Sequence, residues 1–331
     1  CKKYKSKRKP GKRVFYDPKT LLKPLKNIWM ATDQMCSKKL KAAIKLWLPF
    51  YEAEYGTLTD LVIQQLLKIS AATIDRLLKP IKVQFKGKGF CTTKPGSLLK
   101  NQIPIRTDNW DITQPGFLES DTVAHCGNSM AGEFAWSLTF TDICSGWTAN
   151  RAIWTKSSIG VATQIINVRD KLPFALLGFD CDNGSEFLND VLLNYFTEEK
   201  IAFTRSRPYH KNDGAHVEQK NWTHVRQLLG YDRFDKPEIV DLINDLYTSW
   251  NLFQNFFCPN MKLIEKTRIN SKYRKQYDKP KTPFQRLVDH PLVLDSKKTL
   301  LTNKLATLNP FSLKKEVELK LRKIFDASKA T

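Results

Sequence analysis

The run Asp182-Asn183-Gly184-Ser185-Glu186-Phe187 stands directly behind an apolar segment, Pro173–Asp180, and leads into a helical pattern. Asn183-Gly184 permits a sharp reversal. The stretch therefore reads as a short buried strand, a tight turn and a helix over Ser185–Tyr195, with Asp182 at the turn. Upstream, Phe117–Cys126, Glu133–Thr141 and Trp147–Trp154 alternate as three consecutive strands, with turns at Gly127-Asn128 and Ser145-Gly146. A helical stretch over 157–171 separates them from Pro173. Downstream come a last strand, Ile201–Thr204, and helices over Asn212–Leu229 and Pro237–Phe256. The order predicts an α/β core with a mixed five-stranded sheet.

Two further acids share the context of Asp182. Asp121 lies in the first predicted strand, within Phe117-Leu118-Glu119-Ser120-Asp121. Glu218 follows Asp182 after thirty-five residues, near the start of a helix and behind a polar loop, Arg207–Asp213. Carboxylates from separate segments suit hard divalent ions, which prefer oxygen ligands. Two such ions can stabilise both the attacking and the leaving oxygen of a phosphoryl displacement. Glu119, Asp142, Asp180 and Glu186 are competing acids nearby. Period-two alternation puts Glu119 on the face of Asp121, as a supporting group, whereas Asp142 reads as a turn residue.

Charge is unevenly distributed. Residues 1–100 carry 23 Lys+Arg against 6 Asp+Glu, residues 101–230 carry 11 against 15, and residues 231–331 carry 20 against 12. A basic head and tail around an acidic middle fit a metal-binding core flanked by polyanion-binding arms. Seven scattered cysteines without a CxxC pair argue against a disulfide framework. No run of eighteen apolar residues is present, so no membrane span is expected. A first residue that is cysteine, not methionine, leads us to expect upstream sequence.

Segment 1–16 is dense in like charge and is expected to be a disordered basic arm. Residues 17–83 read as a helical domain. Asp17-Pro18 starts a helix, with Leu21, Leu25, Ile28 and Trp29 inward, followed by Leu40, Ile44, Leu46 and Leu48. Helices over 60–67 and 71–78, joined at Lys68-Ile69-Ser70 and ended by Pro80, suit a helix-turn-helix. Its second helix would show Ala71, Thr73, Asp75, Arg76 and Lys79 to solvent. An ordinary helical hairpin fits the pattern too; the basic charge favours DNA binding. Residues 84–104, with Lys86 and Lys88, form a basic linker able to track phosphates. The core is assigned to 105–258 and a basic, partly helical C-terminal region to 259–331. That region holds Tyr273-Arg274-Lys275-Gln276-Tyr277-Asp278-Lys279-Pro280-Lys281 and a helix over Pro310–Phe325.

Taken together, these motifs, with Thr141–Trp147 and Arg207–Glu218, resemble the integrase-type catalytic core of DDE transposases and retroviral-type integrases. The run Asn212–Trp222 is similar to the insertion-sequence group labelled ISNCY. The resemblance implies a ribonuclease H-like fold and a DNA transposase that binds the ends of its element, cleaves strands and joins them to target DNA. It implies Asp121, Asp182 and Glu218 as catalytic metal ligands for two Mg2+ (or Mn2+) ions. Partners would be terminal inverted repeats and target DNA, bound by a homo-oligomer in the bacterial cytoplasm at the nucleoid. Cys181 departs from the more usual serine, threonine or aspartate. Lys211, Lys220 and Arg226 are candidate DNA contacts; for Trp222 core packing is favoured over base stacking, and for His210 and His216 a loop or packing role over proton transfer. A DNA-binding regulator without catalysis, or a nuclease that cuts without joining, are the alternatives.

Overall fold

The computed structural model describes residues 15–84, 113–182, 184, 186–205, 215–269 and 272–329. The chain divides into two compact units, Cys1–Cys91 and Thr92–Thr331. Residues 1–14 of the basic arm 1–16, together with Lys86, Lys88, His210 and Lys211, lie outside the described residues.

The first unit is helical: α1 Pro18–Ala31, α2 Ser37–Trp47, α3 Tyr51–Tyr55, α4 Asp60–Lys68 and α5 Ala71–Gln84. Asp17 caps α1 by accepting the Lys19 N–H at 2.9 Å. Leu21, Leu25, Ile28, Leu40, Ile44, Leu66, Ile74 and Leu78 form the core. Trp47, not Leu46, continues the inward stripe of α2. Ser70 caps α5 through the Thr73 N–H at 3.1 Å. Pro80 does not end α5, which runs on to Gln84. A proline costs the helix one N–H, and burial of Ile81 beside the Leu78 stripe retains the last turn. Asp75 is not free on the outer face. It accepts Ser37 Oγ at 2.5 Å and Lys82 Nζ at 2.6 Å, tying α5 to the start of α2.

The second unit holds a five-stranded sheet ordered β3-β2-β1-β4-β5. Its strands are β1 Phe117–Ala124, β2 Ala135–Asp142, β3 Thr148–Trp154, β4 Gly178–Cys181 and β5 Ala202–Arg205. β1–β2 and β2–β3 are antiparallel, whereas β1–β4 and β4–β5 are parallel. Helices α6 Ser158–Arg169 and α7 Asp190–Glu198 form the crossovers. β4 is shorter than the predicted strand, and α7 starts later than Ser185. Phe187 and Leu188 N–H donate to Gly184 O, and Asn189 then caps α7 through Leu192 N–H.

The sheet has two chemically different faces. Leu118, Leu138, Phe140, Phe179 and Cys181 pack with Val161, Ile165, Leu192 and Phe196 of α6 and α7. The opposite face carries Glu119, Asp121, Ser137, Thr139, Thr141 and Asn150 by strand register. α8 Ala215–Lys220, a π-helical segment Asn221–Arg226, α9 Gln227–Leu229 and α10 Ile239–Phe257 follow β5. α10 seals the edge strand β3 with three asparagines. Asn244, Asn251 and Asn255 pair with both N–H and C=O of Ala152, Asn150 and Thr148, at 2.7 to 3.3 Å.

The C-terminal region contains an antiparallel ribbon, β6 Leu263–Ile269 and β7 Lys272–Tyr277, then α11 Pro283–Val288, α12 Asp295–Ala306 and α13 Pro310–Lys329. α13 buries Phe311, Val317 and Ile324; its Lys320 reaches Asp245 of α10 at 2.8 Å. Among the described residues, no helix is long and apolar enough to cross a membrane. The five described cysteines are free thiols.

Candidate active site

Asp121 lies within β1, and Asp182 lies just beyond the C-terminal end of the adjacent parallel strand β4. The last β1–β4 pair is Ser120 with Cys181, and each aspartate is the next residue along its chain. Neighbouring strands run about 4.8 Å apart, and ligands of open α/β sheets gather at such strand ends.

Asp121 accepts its own neighbour's backbone Thr122 N–H at 2.7 Å and Asn221 Nδ2 at 2.6 Å. Asn221 stands three residues after Glu218, on the helix that α8 and the π-helical segment form together. One residue before Glu218, the Val217 N–H donates to the buried carboxylate of Glu119 at 3.1 Å. Two hydrogen bonds from β1 thus bracket position 218. The side chain of Glu218 itself, like that of His216, lies outside the described residues.

Asp182 accepts the Gly184 N–H at 3.0 Å. Burial raises its pKa; the Glu186 carboxylate raises it further, while Gly184 and Lys156 pull it down. Glu186 is buried, pairs with Lys156, and accepts Thr122 Oγ1 at 3.2 Å. Lys156 in turn stands over the Trp136 ring at 4.9 Å.

Among the described residues, no group of three His, Cys, Asp or Glu is close enough to hold a metal ion. The donor chemistry nevertheless fits a hard cation. Glu186 Oε2 and Asn221 Oδ1 are buried acceptors without a hydrogen-bond donor, one neighbouring Asp182 and the other bonded through its amide to Asp121. Among the described residues, the ammonium of Lys156 pairs with Glu186 and also acts on Asp182.

The competing acids have other partners. Asp180 accepts Thr204 Oγ1 at 2.6 Å. Asp142 is buried and holds the β2–β3 turn through Ser145 N–H and Oγ and the start of β1 through Gly116 N–H. The Cys181 thiol packs in the apolar face, where burial pushes its pKa far up.

The predicted DNA contacts divide. Arg76 and Lys79 are exposed on α5, and Thr73 is half-buried beside Ser70. Lys220 Nζ lies 3.4 Å from His224 Nε2. Arg226 is half-buried, stacks on the Tyr231 ring at 4.6 Å and donates to Gly230 O at 3.4 Å, so its guanidinium is engaged within the fold. Trp222 is 48% exposed, which overturns the expectation of core packing. The π-helical turn that carries it had no signal in the residue pattern. Such turns cluster at functional sites because they re-phase side chains along a helix.

Sheet order and helical crossovers give an α/β core with the strand arrangement of the ribonuclease H-like fold, with helical regions before and after it in the chain. No family model matches the chain. It is 40% identical over 263 residues to the uncharacterized protein y4rM of Sinorhizobium fredii (strain NBRC 101917 / NGR234), covering 78% of this chain and 75% of that protein. The chain belongs to the family of y4rM. It also aligns with the crystal structure of the catalytic core domain of BIV integrase, at 15% identity and a TM-score of 0.34, over 56% of this chain and 97% of that one.

Proposed function

We propose that this chain is a DNA transposase of the DDE type that binds the ends of its mobile element and carries out metal-dependent strand cleavage and strand transfer. The observation that carries the reading is the pair of bonds Glu119–Val217 and Asp121–Asn221, which bracket Glu218 beside the strand that bears Asp121. Asp182 begins the chain segment immediately beyond the neighbouring strand.

Asp121, Asp182 and Glu218 would hold Mg2+ or Mn2+. Divalent ions bound there would activate the attacking oxygen and relieve charge on the leaving one. The residues around them have separable tasks. Asn221 orients the Asp121 carboxylate by donating to one oxygen, while Thr122 N–H holds the other. Glu119 fixes the helix that carries Glu218. Lys156 limits repulsion between Glu186 and Asp182.

In this reading residues 17–83 bind element ends through Thr73, Arg76 and Lys79, and Lys86, Lys88, Lys211 and Lys220 follow phosphates. A homo-oligomer on DNA, working in the bacterial nucleoid, completes the proposal. The test is manganese-dependent cleavage and joining on DNA taken from the flanks of the gene, with wild type and Glu218→Gln side by side. Nicks at a fixed end and joined products, absent from the variant, are expected. Cleavage retained by Glu218→Gln would sink the assignment.

A further inference from the structure

The β1–β4 ladder stops at Ser120 and Cys181. Asp121 and Asp182 are the first positions whose separation that ladder does not set. An unbroken series of contacts joins them instead, and Thr122 enters it twice. Its backbone N–H donates to Asp121 Oδ1 at 2.7 Å, and its hydroxyl donates to Glu186 Oε1 at 3.2 Å. The Glu186 carboxylate lies against Gly184, so closely that a Cβ at that glycine would overlap both carboxylate oxygens. The Gly184 N–H then donates to Asp182 Oδ1 at 3.0 Å.

Stability does not account for the carboxylate at the middle of this series. Glu186 is 2% exposed and pairs with Lys156, whose ammonium stands over the Trp136 ring of β2. Buried ion pairs often do no better than apolar side chains of similar volume. Glu186 Oε2 is also buried with no hydrogen-bond donor among the described residues, which is a further cost. A carboxylate held at such a cost between the residue after Asp121 and the turn after Asp182 has a use other than packing.

We propose that Thr122, Glu186 and Gly184 form a brace that fixes the spacing of the Asp121 and Asp182 carboxylates, with Glu186 as the positioning residue at its centre. Lys156 holds Glu186 in place by charge, and Gly184 admits the carboxylate because it has no side chain. The brace acts through the aspartates and not on substrate. Removing outer partners of this kind typically weakens metal binding by about 10–100-fold. The proposal rests on the reading of Asp121 and Asp182 as ligands of a divalent ion.

Calorimetric titration of the full chain with Mn2+ tests the brace. It compares wild type, Thr122→Val, Thr122→Ser, Glu186→Met and the double variant Thr122→Val/Glu186→Met. Thermal melting without metal checks that each variant keeps the fold; the two Thr122 variants decide the matter even if Glu186→Met does not fold. Thr122→Val nearly keeps the side-chain shape but removes the hydroxyl, and should weaken Mn2+ binding about tenfold. Thr122→Ser should restore it. Glu186→Met should lose at least as much, and Thr122→Val should add little in that background, because both act through one bond. Wild-type affinity in Thr122→Val, an equal loss in Thr122→Ser, or losses that simply multiply in the double variant would overturn the brace. If wild type binds Mn2+ and any of these results appears, the brace fails alone. If wild type binds no Mn2+, the metal-site reading fails with it.

Discussion

The carboxylate of Glu119 accepts the backbone N–H of Val217 at 3.1 Å, across 98 residues of sequence. Val217 lies in the first turn of α8, where N–H groups have no partner inside the helix. The third residue of β1 therefore supplies a cap to the helix that bears Glu218. Replacing Glu119 with leucine leaves a buried N–H without an acceptor, a cost of about 1–3 kcal/mol. Glu119→Gln keeps an acceptor oxygen and should cost much less. Urea unfolding of the two variants checks this; equal midpoints would show that the bond has no such role.

Acidic ends of strands predict a response to metal. Carboxylates gathered without cations repel one another, and an ion that binds only the folded state stabilises it by about 2.7 kcal/mol at a hundredfold excess over its Kd. Manganese should raise the melting temperature of wild type, and do so much less for Asp182→Asn. A wild-type melting curve unmoved by saturating manganese would contradict the site.

His125 sets an acid limit. Its ring is buried against Ser137 at 2.7 Å, and burial, assisted by Arg226, lowers its pKa from 6.5 to about 3. The unfolded chain takes up a proton below pH 6.5, and the folded chain does not until far lower. Stability from this residue is thus full above 6.5 and lost as pH falls towards about 3, at up to about 1.4 kcal/mol per pH unit. Asp142, raised by burial, works in the opposite direction at acid pH. His125→Asn should flatten the decline in urea midpoint below neutrality. An unchanged slope would assign the decline to other groups.

The asparagine row on α10 predicts a loss at Asn255, whose amide serves both backbone groups of Thr148 at 2.7 and 2.9 Å. Asn255→Leu removes both partners from a buried strand edge. The expected cost is about 2 kcal/mol or more, with aggregation at elevated temperature as a second sign. Asn255→Asp, which can still accept from Thr148 N–H but cannot donate to its carbonyl, should fall between, as measured by chemical denaturation.

Much of the core was legible because its signals are local. Strands β1, β2 and β3 announce themselves through alternation. Parity along β1 placed Glu119 with Asp121. Its partner Val217 could not be read, because nothing local links positions 98 residues apart. The β6–β7 ribbon escaped notice since its alternation is carried by charge and tyrosine, not by apolar residues. Asn244, Asn251 and Asn255 repeat at helical spacing, yet asparagine in a helix usually signals solvent, so their grip on β3 needed the fold to be seen. Pro80 was read as a stop although its neighbour Ile81 had a core to enter.

The covered β3 edge also restricts how copies of this chain can meet. A strand from another molecule cannot extend the sheet there, because the positions it would occupy are taken by amide side chains of α10. Among the described residues, the other edge strand of this sheet is β5, Ala202–Arg205. Copies of this chain that meet through other surfaces can shift against one another without breaking the sheet that carries Asp121.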